Sequence, residues 1–90
     1  MYHYKRGVKA DYNRQGYVYF TSRRYEHLTP GKQKKIRQLC EAAGGVYAEA
    51  LLEFVTTDTT ATAICMKHFV SKATLYRAVK RYYEGFPDGI

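Results

Sequence analysis

Residues 61–80 read Ala-Thr-Ala-Ile-Cys-Met-Lys-His-Phe-Val-Ser-Lys-Ala-Thr-Leu-Tyr-Arg-Ala-Val-Lys. Apolar side chains fall at Ile64, Val70, Leu75 and Ala78. Two short helices crossing around a tight turn would place these four on one inner face. Cys65 is small at the point where the second helix must approach. Ser71 follows the turn, and its hydroxyl suits the cap of the next helix. The outward positions of that helix are Lys72, Ala73, Tyr76, Arg77 and Lys80, with Arg81 next in the chain. They are basic, polar or small. Phe69 stands where such a turn usually places glycine. A bulky residue is costly at positive φ, so a different turn with Phe69 packed inward is the expectation.

Upstream, Thr29-Pro30 reads as a helix start, with Thr as cap and Pro in the first turn. Ile36, Leu39, Cys40 and Ala43 follow at helical spacing, and Gly44-Gly45 stops the run. A second helix is expected over about 46–56, with Tyr47, Ala50, Leu51, Phe54 and Val55 on one side. The polar run Thr56 to Thr60 breaks it. A third short helix is expected over about 60–67, and a fourth from Ser71 to about Glu84. Tyr82, Tyr83 and Phe86 read as core or interface.

The first 27 residues look different. They hold six of the ten tyrosines. Tyr17-Val18-Tyr19-Phe20-Thr21 has the β-branched and aromatic composition of a strand, and Asp11 to Gly16 reads as a turn. A hairpin of about residues 2–9 and 17–22 is one expectation; a basic arm is the other. The expected fold is therefore mainly α: a small helical bundle over 28–90, with residues 1–27 as an N-terminal β-hairpin or arm.

At 90 residues the chain has room for one small core, and its formal net charge is +7. Residues 1–27, 28–44 and 67–90 are each net basic, whereas 45–66 carry only Glu49, Glu53 and Asp58. A basic face with the acidic helix turned away from it would suit a polyanion. No apolar run approaches the ~20 residues that span a bilayer. Met-Tyr-His-Tyr-Lys-Arg shows no signal-peptide pattern, and two cysteines suit a reducing compartment. No membrane contact, no cofactor and a cytoplasmic location are expected. Cys65 and His68 lack a second ligand pair, and His3, His27 and Cys40 are scattered, so no metal site is expected. No phosphate-cradling glycine loop or paired-carboxylate motif is present, so no enzyme is expected.

The 61–80 stretch resembles a helix-turn-helix. Leu28-Thr29, Glu49-Ala50 and Arg77-Ala78-Val79-Lys80-Arg81 extend the likeness, so that about residues 28–86 resemble the KorA/TrfB repressors of broad-host-range plasmids. PapB-type regulators of adhesin operons are similar in layout, including a cysteine at the place of Cys65. The resemblance implies promoter binding by dimers or higher oligomers, with Ser71, Lys72, Ala73, Tyr76, Arg77 and Lys80 facing DNA. The C-terminal dimerisation extension of KorA-like proteins has no counterpart here, which leaves the Tyr-rich segment as a candidate for self-association.

Chemistry sorts these residues further. Arg77 suits guanine O6 and N7, which specifies sequence. Lys72 reaches a base or a phosphate, while Lys80 and Arg81 suit phosphates, which position without specifying. Thr62 can offer its hydroxyl or N–H to a phosphate. Lys5, Arg6 and Lys9 could form a DNA-binding arm. The expected function is a sequence-specific double-stranded DNA-binding transcriptional regulator. It would be a repressor of a phage, plasmid or bacterial promoter, associated with the nucleoid. The alternatives are a small phage-encoded inhibitor or adaptor that binds a host protein, and a DNA-architectural or recombination accessory factor.

Overall fold

The computed structural model describes Tyr2 and residues 4–90. Four side chains begin helices, each accepting from the backbone N–H three residues on. Asp11 accepts from Arg14 at 2.7 Å and starts α1, Tyr12–Arg23. Thr29 accepts from Lys32 at 3.4 Å and starts α2, Pro30–Gly44. After a 3-10 turn, Gly45–Tyr47, comes α3, Ala48–Thr56. Thr60 accepts from Ala63 at 3.2 Å and starts α4, Ala61–His68. Ser71 accepts from Thr74 at 3.1 Å and starts α5, Lys72–Gly85.

The helix expectations from Thr29 onward are met to within a residue or two. The α2–α3 link needs glycine at Gly45. Gly45 has φ 56° and ψ −123°, a conformation that only glycine takes without strain. Gly44 packs beside Leu51, where a Cβ would make an ordinary contact 3.4 Å from its Cδ2. Tyr47 falls in the 3-10 turn and stays exposed, not on the inner side with Ala50, Leu51 and Val55.

The N-terminal hairpin is not formed. Residues 17–22 belong to α1, and no strand occurs among the described residues. The strand-like composition of Tyr17 to Thr21 is overridden by tertiary contacts, as happens readily for β-prone residues. Gln15, Val18 and Ser22 lie on the inner side of α1 and are fully buried. The outer side carries the aromatic rings, and Tyr2 packs there against Tyr12, Tyr19 and Phe20 with centroids 5.1–5.9 Å apart.

The core joins every helix. Ile36, Cys40 and Ala43 of α2 meet Ala50, Leu51 and Val55 of α3 and Leu75, Ala78, Val79 and Tyr82 of α5. Ile64 of α4 and Val70 complete it, as the spacing in 61–80 requires. Val8 and Val18 belong to the same cluster. Tyr83 and Phe86 are buried too. The C-terminal end is tied to α1 by Arg14, which pairs with Asp88 at 2.6 Å and donates to the Phe86 carbonyl.

Candidate nucleic-acid interface

Helices α4 and α5 are joined by Phe69, Val70 and Ser71. Val70 points into the core and Ser71 caps α5. Phe69 takes the left-handed conformation, φ 55° and ψ 47°, and its N–H donates to the Cys65 carbonyl. This turn has the positive φ that glycine usually supplies. Phe69 is not packed inward: it is 91% exposed, and Met66, three residues earlier, is 73% exposed. The inner space is already filled by Val70 and Ile64. Holding a phenylalanine there costs about 1–2 kcal/mol of backbone strain. Phe69→Gly is therefore expected to stabilise the fold by about 0.5–1 kcal/mol, after allowance for the extra chain entropy of glycine. Thermal melting checks this. An unchanged or lower midpoint would contradict the strain.

On α5, Ala73, Tyr76, Arg77 and Lys80 form one stripe at helical spacing. Lys72 and Arg77 are exposed. One Arg77 guanidinium nitrogen lies 3.3 Å from Thr74 Oγ1, a single light tether. Tyr76 is 51% exposed, and its inner edge rests on Phe54 with centroids 6.5 Å apart. Lys80 is half-buried, with its ammonium 3.0 Å from Glu84. Thr62 is exposed in the first turn of α4.

Arg81 also joins two helices. Its Nε donates to the Ala43 carbonyl at 2.8 Å, satisfying an acceptor at the C-terminal end of α2. It ties α5 to α2 and stays exposed, one turn beyond Arg77.

The N-terminal cations are held against the body. Gln15, buried within α1, accepts from Lys5 N at 2.7 Å and donates to the carbonyls of Lys5 and Ala10 at 2.9 and 3.0 Å. Lys9 N donates to Glu84 at 2.7 Å. The Lys5 ammonium lies 5.2 Å from the centre of the Tyr83 ring, and burial lowers its pKa. Residues 5–8 thus run beside the α5 stripe, and Arg6 and Lys9 remain exposed. Gln15 and Glu84 build this arrangement, and neither stands out in the sequence. Their only signal is a cap at Asp11, which would have placed Gln15 inside a helix.

Three acidic residues gather elsewhere. Glu26, Glu49 and Glu53 line a depression with Lys67 and His68. Glu53 Oε1 accepts from Lys67 Nζ at 3.0 Å and lies 2.9 Å from His68 Nε2, clasping the end of α4 to α3. The His68 hydrogen bond, then that of Lys67, holds the Glu53 carboxyl below its usual pKa. A depressed carboxylate stabilises the fold fully above the unfolded-state pKa, and that contribution disappears as pH falls through the folded-state value. Wild type should therefore lose more stability between pH 7 and pH 3 than Glu53→Gln. Urea midpoints at both pH values measure it, and equal losses would refute the clasp.

Among the described residues, no three His, Cys, Asp or Glu side chains converge as metal ligands. His3 lies outside those residues. No helix of the described residues is long and apolar enough to cross a membrane. Comparison with protein-family models, curated proteins and solved structures finds no match to this chain.

Proposed function

We propose that this protein is a sequence-specific double-stranded DNA-binding transcriptional regulator. It acts as a repressor of a bacterial, phage or plasmid promoter in the bacterial cytoplasm. The observation that carries the reading is the exposed stripe of α5, which follows a short helix and a three-residue turn and presents Lys72 and Arg77 without a carboxylate partner among the described residues. In this reading α4 and α5 form a helix-turn-helix whose second helix enters the major groove. The pattern of buried Ile64, Val70, Leu75 and Ala78 with a left-handed first turn residue supports it. Arg77 reads guanine, while Lys72, Lys80 and Thr62 meet phosphates or base edges. Two copies bind half-sites one helical turn apart and occlude the promoter.

Selection from a random duplex library at physiological salt tests this. The expected result is an enriched, two-fold symmetric site with half-site centres about 10 bp, or a multiple of it, apart. Failure to enrich any sequence would overturn the reading.

Met66 and Phe69 favour a second reading, because a strained, exposed phenyl ring beside an exposed thioether suits a protein partner. In that case the protein is an adaptor or inhibitor. A salt-insensitive complex with an acidic protein, together with no DNA shift at low salt, would decide for it.

A further inference from the structure

Residues 5–8 and α5 enclose an open groove of about 460 Å³. Its floor is aliphatic, with Val8 and Val79 at the bottom and Ala73 on one wall. Its cations come from both sides: Lys5 from the N-terminal segment, Arg77 and Lys80 from α5. No carboxylate lines it. The nearest acid on α5, Glu84, already accepts from Lys9 N at 2.7 Å and pairs with Lys80 at 3.0 Å.

We infer that this groove seats a sugar–phosphate segment of one DNA strand while α5 lies in the adjacent major groove. The inference rests on the DNA-binding reading and adds a second wall to it. An aliphatic floor between cationic walls matches the two parts of the ligand. Deoxyribose carbons pack on Val8 and Val79, and phosphate oxygens meet Lys5 and Lys80. The N-terminal segment is held in advance by the Gln15 amide and by Glu84, so little chain entropy is lost when the strand enters. A lining of one sign also concentrates a polyanion at this place. The groove is continuous with the Arg77 stripe, so one strand can be positioned here while Arg77 reaches a base.

Gly7 gives a clean test. It lines the groove, a Cβ added there meets nothing within 4 Å, and its φ is not positive. Gly7→Glu and Gly7→Lys place opposite charges at one position without a packing cost. Val46→Glu is the control, since Val46 is exposed in the α2–α3 link and does not line the groove. The probe is the duplex selected from the random library, titrated at several salt concentrations against the full chain. Gly7→Glu should weaken binding about 30-fold and flatten the salt dependence by about one unit of slope. Gly7→Lys should tighten binding about 3-fold, and Val46→Glu should weaken it less than about 3-fold. Equal weakening by Gly7→Glu and Val46→Glu would overturn the groove and leave the α5 reading intact. A wild type that does not distinguish the selected duplex from random sequence would overturn both.

Discussion

Tyr82→Ala is expected to destabilise the protein by about 3–5 kcal/mol, the range for emptying a large aromatic site in a close-packed core. A chain of this length has a total stability of roughly 5–13 kcal/mol, so the variant should be close to unfolding. Tyr82 is 1% exposed, and its ring meets Tyr83 and Phe86 at centroid distances of 6.1 and 5.5 Å. It is also where α1 meets α5. Ser22 Oγ donates its proton to the Val18 carbonyl at 2.7 Å, so the Tyr82 hydroxyl must be the donor in its 2.7 Å bond to Ser22. Tyr82→Phe removes that bond and keeps the ring, and should cost only about 1 kcal/mol. Burial pushes the Tyr82 phenol above its usual value near 10. The unfolded chain therefore ionises first, so stability is unaffected below that pH and falls as pH rises past it. Tyr82→Phe should soften the alkaline loss. Urea unfolding of the wild type and both variants measures all three effects. Equal destabilisation by Phe and Ala would show that the hydroxyl, not the packing, dominates.

Arg77→Ala is expected to lower affinity for the selected duplex by about 5- to 150-fold, the equivalent of the ~1–3 kcal/mol carried by one bidentate guanine contact. Affinity for random duplex should change far less. The side chain is exposed and, among the described residues, tethered only to Thr74, so its removal leaves the fold intact. Lys80→Ala provides the contrast. It should weaken both duplexes alike and flatten the salt dependence by about one unit of slope. Equal losses on both duplexes for Arg77→Ala would remove base readout and leave only electrostatic attraction.

Helices whose inner positions are apolar were legible. Thr29, Thr60 and Ser71 announce α2, α4 and α5, and the apolar spacing behind each matches the buried set. The stripe on α5 was legible for the same reason, since helical period alone places Ala73, Tyr76, Arg77 and Lys80 together. Helix α1 was not. Its tyrosines, valine and phenylalanine suit a strand, and two of its three buried positions are held by Gln15 and Ser22, polar residues satisfied by partners outside the helix, Lys5 and Ala10 for one and Tyr82 for the other. Propensity carries no record of such partners. The same is true of Arg81, whose bond to the Ala43 carbonyl no helical pattern announces. The groove depends on two segments more than sixty residues apart, which no local pattern can join.

The two cysteines offer a chemical clock for this architecture. Cys40 is sealed on the inner face of α2, and desolvation, with the nearby Glu41 charge, pushes its thiol up to about 12. Cys65 sits half-open on α4. A thiol-selective reagent would tag the α4 sulfur promptly and the α2 sulfur only when the helices around it part. The lag between the two adducts, read by mass, would report how often the interior breathes.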